Sequence, residues 1–155
     1  MYGWKQLEKP FGEIKKQAEV QELIEENAPL ISQRWFPAAH LDYYVALPND
    51  TYVLGWGSLE RIHKYAWMNQ ERGGYHQGMD AWYINFDNDL FSMDFARKYF
   101  REIIPVDTLS VTRSGKTVKQ AYVYIFKDLK KLPYDDLKVF MKKHKQSKTK
   151  AIGSE

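Results

Sequence analysis

Asp87 and Asp89 stand two positions apart, just beyond an apolar run, Ala81-Trp-Tyr-Ile-Asn-Phe86. At that spacing on an extended chain, two carboxylates project to the same side. Held together, they can share a divalent cation and offset the charge of a phosphoryl group. Mg²⁺ or Mn²⁺ is the cofactor such a pair implies, and a phosphotransferase or nuclease the activity. Asp-Asn-Asp is equally the composition of a metal-free turn at the end of a strand.

A second set of residues suits phosphate. Lys142, Lys143, Lys145, Lys148 and Lys150 crowd residues 141–155 against a single acid, Glu155. They leave +4 there and −1 on the rest of a chain whose net charge is +3. A basic extension on a nearly neutral body is an electrostatic footprint for nucleic acid or another acidic partner. A solvated tail that aids solubility is the plainer reading.

Aromatic residues make the third set. Sixteen of the 24 lie between Trp35 and Phe100. Tyr44, Tyr52, Trp56, Tyr65, Trp67 and Tyr75 are too many for one small core to bury with every polar tip satisfied. The excess is expected at the surface. There, Trp56, Trp67 and Tyr75 can stack on bases while Arg113 and Lys116 take phosphates. Nucleic-acid binding through an aromatic sheet or cleft is therefore the leading expectation, in replication, repair or processing. The metal-dependent enzyme is one alternative. A protein-binding module or inhibitor that uses the aromatics as a hot spot is the other.

The remaining polar residues say less. No two of His40, His63, His76 and His144 have the spacing that puts imidazoles on one helix face. A metal site from His40, Asp42, His76 and Asp80 would need the fold to bring them together. Gly57-Ser58-Leu59 lacks the second glycine of a nucleophile elbow. Without cysteine, disulfides and thiolate chemistry are excluded. No apolar run approaches a membrane span, and Met1-Tyr-Gly-Trp-Lys5 lacks the core of a signal peptide. The expected setting is intracellular and cytoplasmic.

These residues need elements to position them. Residues 9–27 have helical spacing (Phe11, Ile14, Ala18), and Pro10 suits a first turn. Runs 41–47 and 51–57, rich in Tyr and Val around Pro48-Asn49-Asp50, predict a hairpin. Ser58 caps an expected helix to about Asn69, and 72–78 is a glycine-rich loop with little to anchor it. The strand at 81–86 precedes a helix over 92–104 that Pro105 ends. A second hairpin turns at Ser114-Gly115, with 121–126 as a central strand. A last helix begins at Pro133. The class is thus α+β: one domain over 1–140 with a mixed sheet of about five strands, two hairpins plus a central strand. Helices pack mainly on one face, and 141–155 form a flexible basic tail. The portion from Trp82 onward can build a ferredoxin-like half.

Two resemblances rest on particular residues. The run Tyr83-Ile-Asn-Phe-Asp-Asn-Asp89, with Thr112-Arg-Ser-Gly115 and Ala121-Tyr-Val-Tyr-Ile-Phe126, resembles archaeo-eukaryotic-type primase and polymerase cores. The resemblance covers about 45 residues and implies a metal held by Asp87 and Asp89. The histidine that family carries after its Ser-Gly turn is missing; Lys119-Gln120 stands there. Tyr52-Val-Leu-Gly-Trp-Gly-Ser-Leu59 is similar to the glutamyl-cradling loop of γ-glutamylcyclotransferase-like folds, with Trp56 in place of a tyrosine.

Overall fold

The computed structural model describes residues 4–33, 35–56, 65–86 and 94–132, without the side chains of 35–37 and 65–67. The chain folds as a single α+β domain with a five-stranded mixed sheet and four helices. A 3₁₀ turn, Trp4–Leu7, leads into α1, Glu8–Val20. Leu7, Phe11 and Ala18 are buried along one stripe. α1 stops earlier than its periodicity suggests. Glu22 turns left-handed (φ 59°), so the amides of Glu22 and Leu23 donate back to the carbonyls of Glu19 and Ala18. That pairing closes the helix end on itself.

β1, Leu30–Ser32, follows, and then α2, Trp35–Leu41. Residues 41–47, expected as a strand, instead finish α2 and run through a π-helical turn, Asp42–Ala46. Ala38, Leu41 and Val45 are all buried, a helical spacing that outweighs the β propensity of Tyr and Val. The Pro-Asn-Asp segment does turn the chain, with Asp50 at φ 57°, but it leaves a helix and enters β2, Val53–Gly55. β2 pairs in parallel with β1, so the predicted hairpin does not exist.

α3, Tyr65–Glu71, lies beside β2, where the Asn69 amide receives Gly55 N–H (2.9 Å) and donates to Gly55 O (2.8 Å). That two-way bond acts as a substitute strand on the outer edge of β2. β3, Ala81–Asn85, lies where the sequence places it and pairs in parallel with β1. The helix expected over 92–104 is α4, Asp94–Tyr99; from Phe100 the chain is already strand. Pro105 is tolerated there because β4, Phe100–Arg113, is the outermost strand and bulges just after the proline. β5, Lys116–Leu129, returns antiparallel between β3 and β4.

The strand order is β2-β1-β3-β5-β4. β3, α4, β4 and β5 form a split βαβ in which β5 is inserted between the two parallel strands, the arrangement of a ferredoxin-like half. Alternate residues feed two cores. Leu30, Trp82, Ile84, Val123 and Ile125 pack beneath α1, α2 and the 3₁₀ turn. Ile31, Leu54, Tyr83 and Phe126 face Trp56, Tyr75, Met79 and the Ala96 side of α4. Most helical residues lie on the first face. Phe11 and Trp82, both 0 % exposed, meet edge to face at 5.2 Å between ring centres. Burying an apolar side chain of that size contributes roughly 1.5–3 kcal/mol. Among the described residues, no helix is long and apolar enough to cross a membrane.

Candidate nucleic-acid interface

β4 and β5 are each 14 residues long, whereas β3 reaches only as far as the Asn85–Tyr122 pair. Because β3 and β5 run antiparallel, the two-stranded ribbon overhangs the carboxyl end of β3. Its inner side, Leu109, Val111 and Ala121, joins the apolar cluster that holds Trp4 and Leu7. Gln6 fixes the ribbon further: its side chain donates to Thr112 O (2.8 Å) and accepts from Thr112 N–H (2.9 Å). On the outer side, Thr108, Ser110 and Gln120 are exposed, and the Tyr122 hydroxyl donates to Gln120 Oε1 (2.9 Å). Such a face offers hydroxyls and amides, with Val118, 57 % exposed, as its apolar element.

The tip is basic. Ser114 (φ 53°) and Gly115 (φ 78°) make a two-residue turn with both residues left-handed, which brings Arg113 directly opposite Lys116. Both are exposed. Like charges placed directly across a ladder destabilise it. Lys119 lies further in, its ammonium 5.1 Å from the centre of the Phe86 ring.

The carboxyl ends of β1 and β3 form a second feature at the same end. From β1 the chain leaves for α2, whose Ala38 and Leu41 belong to the first core. From β3 it continues toward α4, whose Ala96 belongs to the second. Adjacent strands that feed helices on opposite faces make a topological switch point, the usual place for a ligand in open α/β sheets. Ser32 and Asn85 are buried polar residues there, and Tyr83 Oη lies 3.3 Å from Gln33 Oε1. Asp87 and Asp89 follow Asn85-Phe86 directly, but they lie outside the described residues.

The structure redistributes the expected binding residues. Trp56 and Tyr75 are buried, 6 % and 5 % exposed, against each other and the α4 side of the sheet. The Tyr75 hydroxyl is spent on Gly55 O at 2.8 Å. Neither ring offers a face to a base, and the aromatic sheet itself, Trp82 and Tyr83 included, is core. The loop 72–78 is correspondingly anchored. Besides Tyr75, Arg72 bonds Asp42 and Val53 O, and Gly78 N–H donates to Leu129 O. The Trp67 side chain, His63, His144 and the lysines Lys142, Lys143, Lys145, Lys148 and Lys150 lie outside the described residues, as do Gly57, Ser58 and Leu59.

The metal site imagined from His40, Asp42, His76 and Asp80 does not form. Asp42 pairs with Arg72 at 2.7 Å, while Asp80 accepts from Lys127 (2.8 Å) and from the amides of Glu25 and Asp128. Among the described residues, no group of three or more His, Cys, Asp or Glu can hold a metal. His40 instead lies edge-on to Trp4, ring centres 5.3 Å apart, and burial there pushes its imidazole below the ordinary 6.5.

The described aromatics that do reach solvent had only composition to mark them. Tyr43 is 68 % and Tyr44 36 % exposed on the π turn, with Leu47 at 56 % just beyond. Their register on that turn depends on the one extra residue of the π geometry, which no period reveals. Comparison with protein-family models, with curated proteins and with solved structures finds no match for this chain.

Proposed function

We propose that this protein binds nucleic acid, presenting the β4–β5 ribbon to it and using the lysines of 141–155 as a second electrostatic contact. The carrying observation is the Arg113–Lys116 pair: two exposed cations held opposite each other at the tip of an overhanging ribbon. A phosphate between them can accept a charge-assisted hydrogen bond from each. A two-stranded ribbon also fits a major groove, where the hydroxyls and amide of Thr108, Ser110 and Gln120 can meet base edges.

A second reading, metal-dependent phosphoryl transfer, is supported by Asp87 and Asp89 following β3 directly in the sequence, at the end of the sheet where β1 and β3 feed helices on opposite faces. The order strand, helix, strand, Ser-Gly turn, strand also agrees with the primase-like resemblance.

One titration addresses both. Fluorescence anisotropy of labelled single-stranded and duplex 20-mers is followed across a salt series. Log affinity falls with log salt, and Arg113→Ala with Lys116→Ala flattens the slope by about 0.7–0.9 for each phosphate no longer neutralised. A chain ending at Met141 flattens it independently. Added Mg²⁺ strengthens binding by the wild type but not by Asp87→Asn with Asp89→Asn if the second reading holds. Absence of any binding at low salt overturns the nucleic-acid reading.

A further inference from the structure

We propose that Tyr43 and Tyr44 form a stacking platform for the unpaired bases of a single strand. The inference rests on the nucleic-acid reading above and deepens it: the ribbon supplies cations and hydrogen-bonding groups but no exposed ring for a base to rest on.

Three observations carry it. Tyr43 and Tyr44 stand edge to face, ring centres 4.9 Å apart at 82°, and Tyr43 is 68 % exposed, so a flat π-surface is open to solvent. The turn that carries them is held from behind. Val45 and Ala46 are fully buried, and Asp42 is clamped by Arg72 and receives Val53 N–H, so little order remains to be lost on binding. A π turn costs regular helix hydrogen bonding and is frequent at functional sites.

The π turn also packs beside the 3₁₀ turn that grips the ribbon. Tyr44 lies 6.2 Å from the His40 ring, His40 5.3 Å from Trp4, and two residues along the same 3₁₀ turn Gln6 grips Thr112 beside Arg113. Lys5 on that turn is exposed. A single strand whose phosphates meet Arg113, Lys116 and Lys5 is thereby led toward Tyr44 and Tyr43. Duplex has its bases stacked already and cannot use the rings. Among the described residues the patch is Tyr43, Tyr44 and Leu47, which fall far short of the roughly 800 Å² per partner that a stable dimer needs.

Anisotropy with a labelled oligo-dT and with a duplex of equal length, across a salt series, tests the platform on the full chain. Tyr43→Ala with Tyr44→Ala lowers single-strand affinity about 10–100-fold and leaves duplex affinity and the salt slope unchanged. Tyr43→Phe with Tyr44→Phe retains binding, because stacking needs the ring and not the hydroxyl. If the double alanine variant melts early, Tyr43→Ala alone, at the more exposed ring, must still weaken single-strand binding. Unchanged single-strand affinity in a variant set where Arg113→Ala and Lys116→Ala do weaken binding overturns the platform and leaves the nucleic-acid reading standing. Absence of binding by the wild type overturns both. A dimer in sedimentation that the alanine variants dissolve assigns the patch to a second copy and overturns the platform as well.

Discussion

Single residues in this fold are committed mainly to holding it. Asp42 is 7 % exposed, and Arg72 answers it with two hydrogen bonds, 3.1 and 2.7 Å, while also donating to Val53 O. Removing the guanidinium leaves a buried carboxylate that, among the described residues, keeps the Val53 amide as its donor. Arg72→Ala is therefore expected to cost about 3 kcal/mol, and Arg72→Lys less, since a charge remains without the fork geometry. Urea denaturation measures this, and a loss below about 0.5 kcal/mol would show the pair to be ornamental. The charges that we assign to binding were legible at this scale: Arg113 and Lys116 flank a Ser-Gly turn, and a turn tip is exposed. The fate of the aromatics was not. Whether Trp56 stacks on a base or on Tyr75 depends on what folds over it, and neither ring type nor spacing encodes that.

Among elements, those with one clear period read well and those with two did not. Strand 81–85 and the hairpin at Ser114-Gly115 carry turn chemistry at their ends and were found in place. Phe100, Ile103 and Ile104 satisfy a helical stripe and a strand equally, and only pairing with Leu129, Phe126 and Ile125 decides for the strand. β1 is three residues long and has no period at all, so its parallel pairing with β2 and β3 could not be foreseen. The ribbon's anchorage was equally invisible, because Gln6 and Thr112 are 106 positions apart. Gln6→Ala removes the side-chain bonds to Thr112. Hydrogen exchange at Thr112 and its neighbours should then quicken about 2–10-fold while β3 stays protected, as expected for one or two solvent-accessible hydrogen bonds. Unchanged protection would mean that Val111 and Leu109 alone hold the ribbon down.

At the scale of the whole molecule, the sheet joins two kinds of pairing with very different loop lengths. β4 and β5 meet across a two-residue turn, and such hairpins close in roughly 1–10 μs. β1, by contrast, must be threaded between β2 and β3, and its Leu30 finds Trp82 about fifty positions away. Chain entropy for that closure is lost before any contact rewards it. The ribbon thus makes the natural folding nucleus, and the rest of the sheet condenses onto it afterwards. Stopped-flow chevrons make the order visible: Val123→Ala should slow folding, whereas Ile31→Val should mainly speed unfolding. The reverse pattern would put the nucleus at β1. Under this order, the part of the chain that we assign to nucleic acid is the first to take its final shape.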